Sequence, residues 1–173
     1  MASQTVESPA GIGPALRRVV DGPAAEWAGL AVRLALAAVW GWAGLAKISD
    51  PAEAAQAVRA YEILPESLVK PVGYGLPFLE VAVALLLVIG LGVRAVAVVS
   101  AVLLLTFIGG ISSAWARGIS IDCGCFGGGG AVDASKTEYL QEILRDCGFL
   151  LLAAWLVFRP RTKLSADAWL AAA

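Results

Sequence analysis

Four stretches of the chain are apolar over about the 20 helical residues that a bilayer core demands. Residues 27–46 are interrupted only by Arg33 and closed by Lys47. Residues 72–91 carry one acid, Glu80, and one proline, Pro77. Residues 95–116 carry no charge at all. Residues 139–158 open with Glu142, Arg145 and Asp146, which leaves 147–158 uncharged. Alone, that last run reads equally as a buried soluble helix; beside three stronger runs it predicts a fourth span with a polar entrance. Four spans put both termini on one side.

The connections differ. Residues 92–94 predict a tight turn between spans two and three. The first outer loop, 48–71, holds Asp50-Pro51-Ala52-Glu53: Asp50 caps, Pro51 suits the first helical position, and Glu53 can reach back. A short amphipathic helix is therefore expected at the membrane interface, ended by Leu64-Pro65. The second outer loop, 117–138, contains Cys123-Gly124-Cys125-Phe126 followed by four glycines. The predicted fold class is all-α, an integral membrane four-helix bundle spanning 27–158, between cytoplasmic tails at 1–26 and 159–173. The first tail lacks the features of a cleaved signal peptide.

Composition sharpens this picture. The 173 residues are 59% apolar and 16% charged, against about 45–50% and about 25% in soluble domains. The mean hydropathy is +0.77. A core this small cannot hide that much apolar surface, so lipid is the expected solvent and partner. Disorder and nucleic-acid binding are excluded by the same figures and a net charge of -1. The absence of histidine removes His-based acid/base chemistry and His-ligated zinc or haem. Arg17, Arg18, Arg94, Arg159, Arg161 and Lys163 on the terminal side outnumber Lys47, Arg59, Lys70, Arg117 and Lys136 by one, which favours termini inside. Arg33, near the inner end of its span, is expected to snorkel.

Cys123 and Cys125 are the strongest chemical signal. They lie in a loop expected to be flexible, accessible and extracytoplasmic, where disulfides persist. A C-x-C pair closes only as a small strained ring, and strain makes a disulfide more oxidising. Arg117 is the nearest cation in sequence, while Asp122 opposes thiolate formation. The alternatives are two unengaged thiols or half of a metal site; zinc wants four ligands, and only Cys147 and carboxylates remain, so no metal is expected. Cys147, about 12 Å into its helix, is an inert small hydrophobe unless the glycine loop folds back to make it a third thiol. Glu80 is expected at a similar depth and Arg145 about 9 Å down, which predicts an ion pair between them, either a structural clasp or a proton-transfer group. Glu142 and Asp146, four residues apart on one stripe, compete for Arg145. Trp40, Trp42, Trp115, Tyr139 and Trp155 are expected to pack or to anchor at the interface.

Lys47, Asp50-Pro51, Tyr61, Leu64-Pro65, Leu76-Pro77-Phe78-Leu79-Glu80, Arg117-Gly118, Cys123-Gly124-Cys125-Phe126-Gly127 and Leu144-Arg145-Asp146 resemble the MauE family, the methylamine-utilisation group within the DoxX-like membrane proteins. The likeness runs from about Leu30 to Phe158. It implies a four-helix bundle and disulfide chemistry outside the cytoplasm beside a thioredoxin-like partner. In methylamine oxidisers that role is maturation of a disulfide-rich dehydrogenase subunit. Cys147 is not part of the motif.

Two functions from different classes are expected. One is a thiol–disulfide relay in the plasma membrane: Cys123 and Cys125 exchange electrons with the thioredoxin-like protein and the bundle passes them to a quinone. It lacks the second cysteine pair of four-helix disulfide oxidases, which Cys147 or a partner would have to supply. The other is a non-catalytic membrane anchor for a redox complex. A transporter is weaker, because one acid and no broken-helix pair fall short of a midplane site.

Overall fold

The computed structural model describes residues 22–171; the expected N-terminal tail lies outside the described residues up to residue 21. Helix α1 spans Pro23–Ile48. It starts four residues before the expected Trp27 because proline at the first position has its φ preset for a helix. Asp50 then caps α2, Pro51–Ala60, its carboxylate accepting from the Glu53 amide at 2.9 Å. Helix α3 covers Glu66–Ile89 and α4 Val93–Ala116. A two-residue ladder pairs β1, Ile121–Asp122, antiparallel with β2, Gly130–Ala131. Helix α5 is Tyr139–Phe158, and a short α6, Ala166–Leu170, follows.

Among the described residues, three helices are long and apolar enough to cross a membrane: Ala24–Ile48, Glu66–Ile89 and Val93–Ala116. The fourth expected span, α5, has the expected bounds but is not one of these, because Glu142, Arg145 and Asp146 occupy its first two turns. It nonetheless joins them in one apolar core, where Leu36 and Trp40 of α1, Leu87 of α3 and Leu104 of α4 meet Ala153 and Leu156 of α5. The outer surface is as apolar as the interior: Phe78, Leu85, Val102, Leu105 and Leu151 are all exposed. Polar groups instead occupy the buried stripes, Arg33 and Lys47 on α1, Glu80 on α3, and Glu142 and Asp146 on α5. Charge inside and hydrocarbon outside is the arrangement lipid selects.

Close helix contact is set by glycine. A Cβ on Gly44 would lie 2.8 Å from the Pro77 carbonyl oxygen, and one on Gly73 would lie 2.5 Å from the Ala55 Cα. Gly44 therefore seats α1 against the middle of α3, while Gly73 admits α2 against its beginning. The first turns of α3 thus project beyond the end of α1 and are covered by α2.

At the opposite end, the segment after α5 folds back. Arg33 does not snorkel; it is buried and its guanidinium donates to the Leu164 carbonyl at 2.9 Å. Asp167 accepts from the amides of Gly92 and Val93 at 2.7 and 2.9 Å, capping the otherwise unsatisfied start of α4. Residues 161–170 are therefore a fitted lid on the α3–α4 turn.

Candidate functional site

The glycine-rich loop closes over the end of the helices opposite the 161–170 lid and is folded rather than open. Ile121 pairs with Ala131 and Asp122 with Gly130, and the Gly124 amide donates to the Asp122 carboxylate at 3.0 Å. Gly124 has φ +66, and a Cβ there would meet Ala57 of α2 at 2.9 Å and the Gly128 carbonyl at 3.0 Å. Positive φ and this close approach both require glycine. The loop is clamped from two sides. The Tyr61 hydroxyl donates to the Cys123 carbonyl at 3.1 Å, and the Tyr139 hydroxyl accepts from the Ile121 amide at 2.9 Å while donating to the Ile119 carbonyl.

The clamp brings the two thiols together against α5. Cys123 is buried and Cys125 half-buried, which corrects the expectation of freely accessible sulfurs: apolar neighbours such as Ile111, Ala114 and Tyr139 pack around Cys123. The Cys125 amide donates to the Cys123 Sγ at 3.2 Å, and the Cys123 amide donates to Glu142 Oε1 at 3.3 Å. The cation at the sulfur is Arg145, not Arg117. Its Nη2 lies 3.7 Å from the Cys123 Sγ, whereas Arg117 is spent on the carbonyls of Tyr61 and Glu62.

Arg145 is itself held on both sides. Asp146 Oδ1 accepts from its Nε at 3.1 Å, and the Phe126 ring lies 4.8 Å from its Cζ, a cation–π distance. Hydrogen bonds from the Cys125 thiol and amide, with Arg145 adding to them, hold Cys123 below the ordinary thiol range despite the opposing effect of burial. The same thiol–thiol contact, reinforced by burial, pushes Cys125 well above it. The pair is therefore asymmetric: the Cys123 anion is favoured over that of Cys125.

The expected Glu80–Arg145 pair does not form. Helix α3 begins at Glu66, six residues before the expected 72, so Glu80 lies about 21 Å along it and well below Arg145. Its partner is Lys47, at 2.6 Å, with side chains 0% and 6% exposed respectively. Cys147 is exposed on α5, one residue past the inward-facing Asp146, so the third-thiol reading places it on the wrong helix face. Asp122, Cys123 and Glu142 each offer one ligand atom within 4.8 Å of the others, but Arg145 already supplies a positive charge at the same sulfur.

The profile of the family described as methylamine utilisation protein MauE matches residues 25–159. The chain belongs to the MauE family. It is 36% identical over 127 residues to the methylamine utilization protein MauE of Paracoccus denitrificans, covering 73% of this chain and 68% of that one. No solved structure matches. The segment matched to MauE contains both thiols, Tyr61, Arg145 and the Lys47–Glu80 pair, while the lid at 161–170 falls beyond it. Reasoning from sequence missed Arg145 as the partner of the thiolate; its signal was the Leu144-Arg145-Asp146 string already noted at the mouth of the last helix.

Proposed function

We propose that this MauE-family membrane protein is a thiol–disulfide relay acting on a thioredoxin-like protein outside the cytoplasm. In this reading α5 completes a four-helix bundle in the plasma membrane, with the Cys123–Cys125 loop outside and both chain ends inside. The observation that carries it is the Arg145 guanidinium at 3.7 Å from the Cys123 Sγ. A sulfur whose anion is favoured by a held guanidinium is the better leaving group, and Cys125, the less buried of the two residues, is the one assigned to meet a partner.

The exchange follows from that asymmetry. A partner thiolate attacks the Cys125 sulfur of the oxidised pair; the Cys123–Cys125 bond breaks and Cys123 departs as the thiolate. The partner's second thiolate then attacks the mixed disulfide, so the partner leaves oxidised and the pair is left as a dithiol.

Cys123→Ser and Cys125→Ser variants in membranes test this reading. Given the partner in its disulfide form, Cys123→Ser is expected to accumulate a mixed disulfide, as Cys125 attacks the partner's disulfide and releases one partner thiolate, and Cys125→Ser to accumulate much less. Equal partner oxidation by a variant lacking both cysteines would overturn it. The second reading, a non-catalytic anchor for a redox complex, draws on the burial of Cys123, and it predicts partner binding that survives loss of both thiols.

A further inference from the structure

A cavity of about 200 Å³ lies just beyond the end of α1, enclosed by α2, α3, α4 and the cysteine loop. Its walls include Tyr61, Leu76, Pro77 and Phe107; Cys123 and Cys125 form one side, and Lys47 adds the one charged group. The exposed residues Ile63, Val72 and Thr106 also line it, so its mouth opens sideways between α3 and α4, among the apolar outer faces, rather than along the helix axes. An apolar cavity of about 150 Å³ accommodates one benzene ring, so this one suits a single substituted ring and excludes a peptide.

We infer that this cavity binds the ring of a lipid-borne quinone, which re-oxidises the Cys123–Cys125 pair. The inference rests on the relay reading and supplies its electron acceptor. Three features converge on that ligand class. The lining is apolar and aromatic, as a ring requires. The lateral mouth lets an isoprenoid tail remain in lipid. Lys47 spends one of its three N–H donors on Glu80 and keeps others for a carbonyl oxygen of the ring. In the reaction the Sγ–Sγ bond forms and the pair gives up two electrons and two protons. The two carbonyl oxygens of the quinone accept them, giving the hydroquinone.

The test uses the full chain, reduced, in lipid nanodiscs, with decylubiquinone as the probe. One quinone is expected to be reduced for each pair of thiols lost. Thr106→Trp, which fills the exposed mouth, is expected to slow that reaction about tenfold, while oxidation of the same thiols by glutathione disulfide keeps its rate. Lys47→Met combined with Glu80→Gln, which leaves no charge buried alone, is expected to weaken decylubiquinone binding to a similar degree. Unchanged quinone reduction in both variants overturns the site. If decylubiquinone takes no electrons although Cys123→Ser still traps the partner, the quinone site falls and the relay stands. If the quinone oxidises the pair but no partner is trapped, the thioredoxin-like partner falls and the quinone site stands.

Discussion

Lys47 Nζ donates to Glu80 Oε1 at 2.6 Å where the end of α1 meets the middle of α3, and neither side chain is more than 6% exposed. The ammonium also sits 6.0 Å from the Phe107 ring centroid on α4. One ion pair thus joins three helices at the floor of the cavity beneath the thiols. Among the described residues Glu80 Oε2 has no hydrogen-bond partner of its own, so within them the carboxylate depends on Lys47.

That dependence makes the single changes the costly ones. Lys47→Met or Glu80→Gln is expected to destabilise the protein by about 3–5 kcal/mol, since each leaves a buried group uncompensated. The double variant should lose clearly less than the sum. Unfolding in mixed micelles for all four members of the cycle measures this; simple additivity would mean that the two groups do not stabilise each other.

The loop should be equally sensitive at Gly124. Alanine there meets both a positive φ and the Ala57 methyl. A cost of about 1–3 kcal/mol is expected, confined to the loop. The readout is faster alkylation of Cys123 with the helix content unchanged; a Cys123 as protected as in the wild type would show that the loop tolerates a side chain.

How far the sequence could be read depended on the range of each interaction. The four long helices and the Asp50 cap were legible because period and turn chemistry are local; the tight turn expected at 92–94 lies at 90–92. The partner of Glu80 was not. The polar residues Glu66 and Lys70 hid the first turns of α3 behind a loop-like composition, and the resulting error in depth aimed Glu80 at Arg145. A signal was nevertheless present: Arg33, Leu36, Ala37, Trp40, Ala43 and Lys47 fall on one stripe of α1, and all six are buried. Both cations therefore belong to the helix face that turns inward. The contact between Arg145 and Cys123 was beyond such reasoning, because it depends on a loop folding back over the helix that follows it.

The lid at the opposite end of the helices offers a separate test. Asp167→Ala removes the carboxylate that caps the Gly92 and Val93 amides, a loss worth about 1 kcal/mol for a helix N-terminus. Proteolysis of the intact protein should then cut within 161–170 faster than in the wild type. Unchanged cleavage would show that Arg33 and Ser165, whose hydroxyl accepts from the Ala168 amide at 3.2 Å, hold the lid without Asp167.

The asymmetry of the thiols predicts a pH profile. Cys123 lies below the ordinary thiol range because the Cys125 thiol and amide and the Arg145 guanidinium all favour its anion. Only the thiolate is alkylated, so in the reduced protein Cys123 should react with iodoacetamide at lower pH than Cys125, whose proton is held by its hydrogen bond to the Cys123 sulfur and then by burial. Arg145→Met removes a group that lowers the Cys123 pKa, so the midpoint of its alkylation must move to higher pH. Cys125→Ala removes the larger contribution and should move it further. Restricted access slows both reactions without moving their midpoints, whereas burial raises both midpoints by desolvating the thiolates, so the change between wild type and variant reports the partner removed. Mass spectrometry of the alkylated sites across pH measures both midpoints. If that of Cys123 stays in place in both variants, neither Arg145 nor Cys125 stabilises its thiolate, and the assignment of Cys123 as leaving group loses its basis.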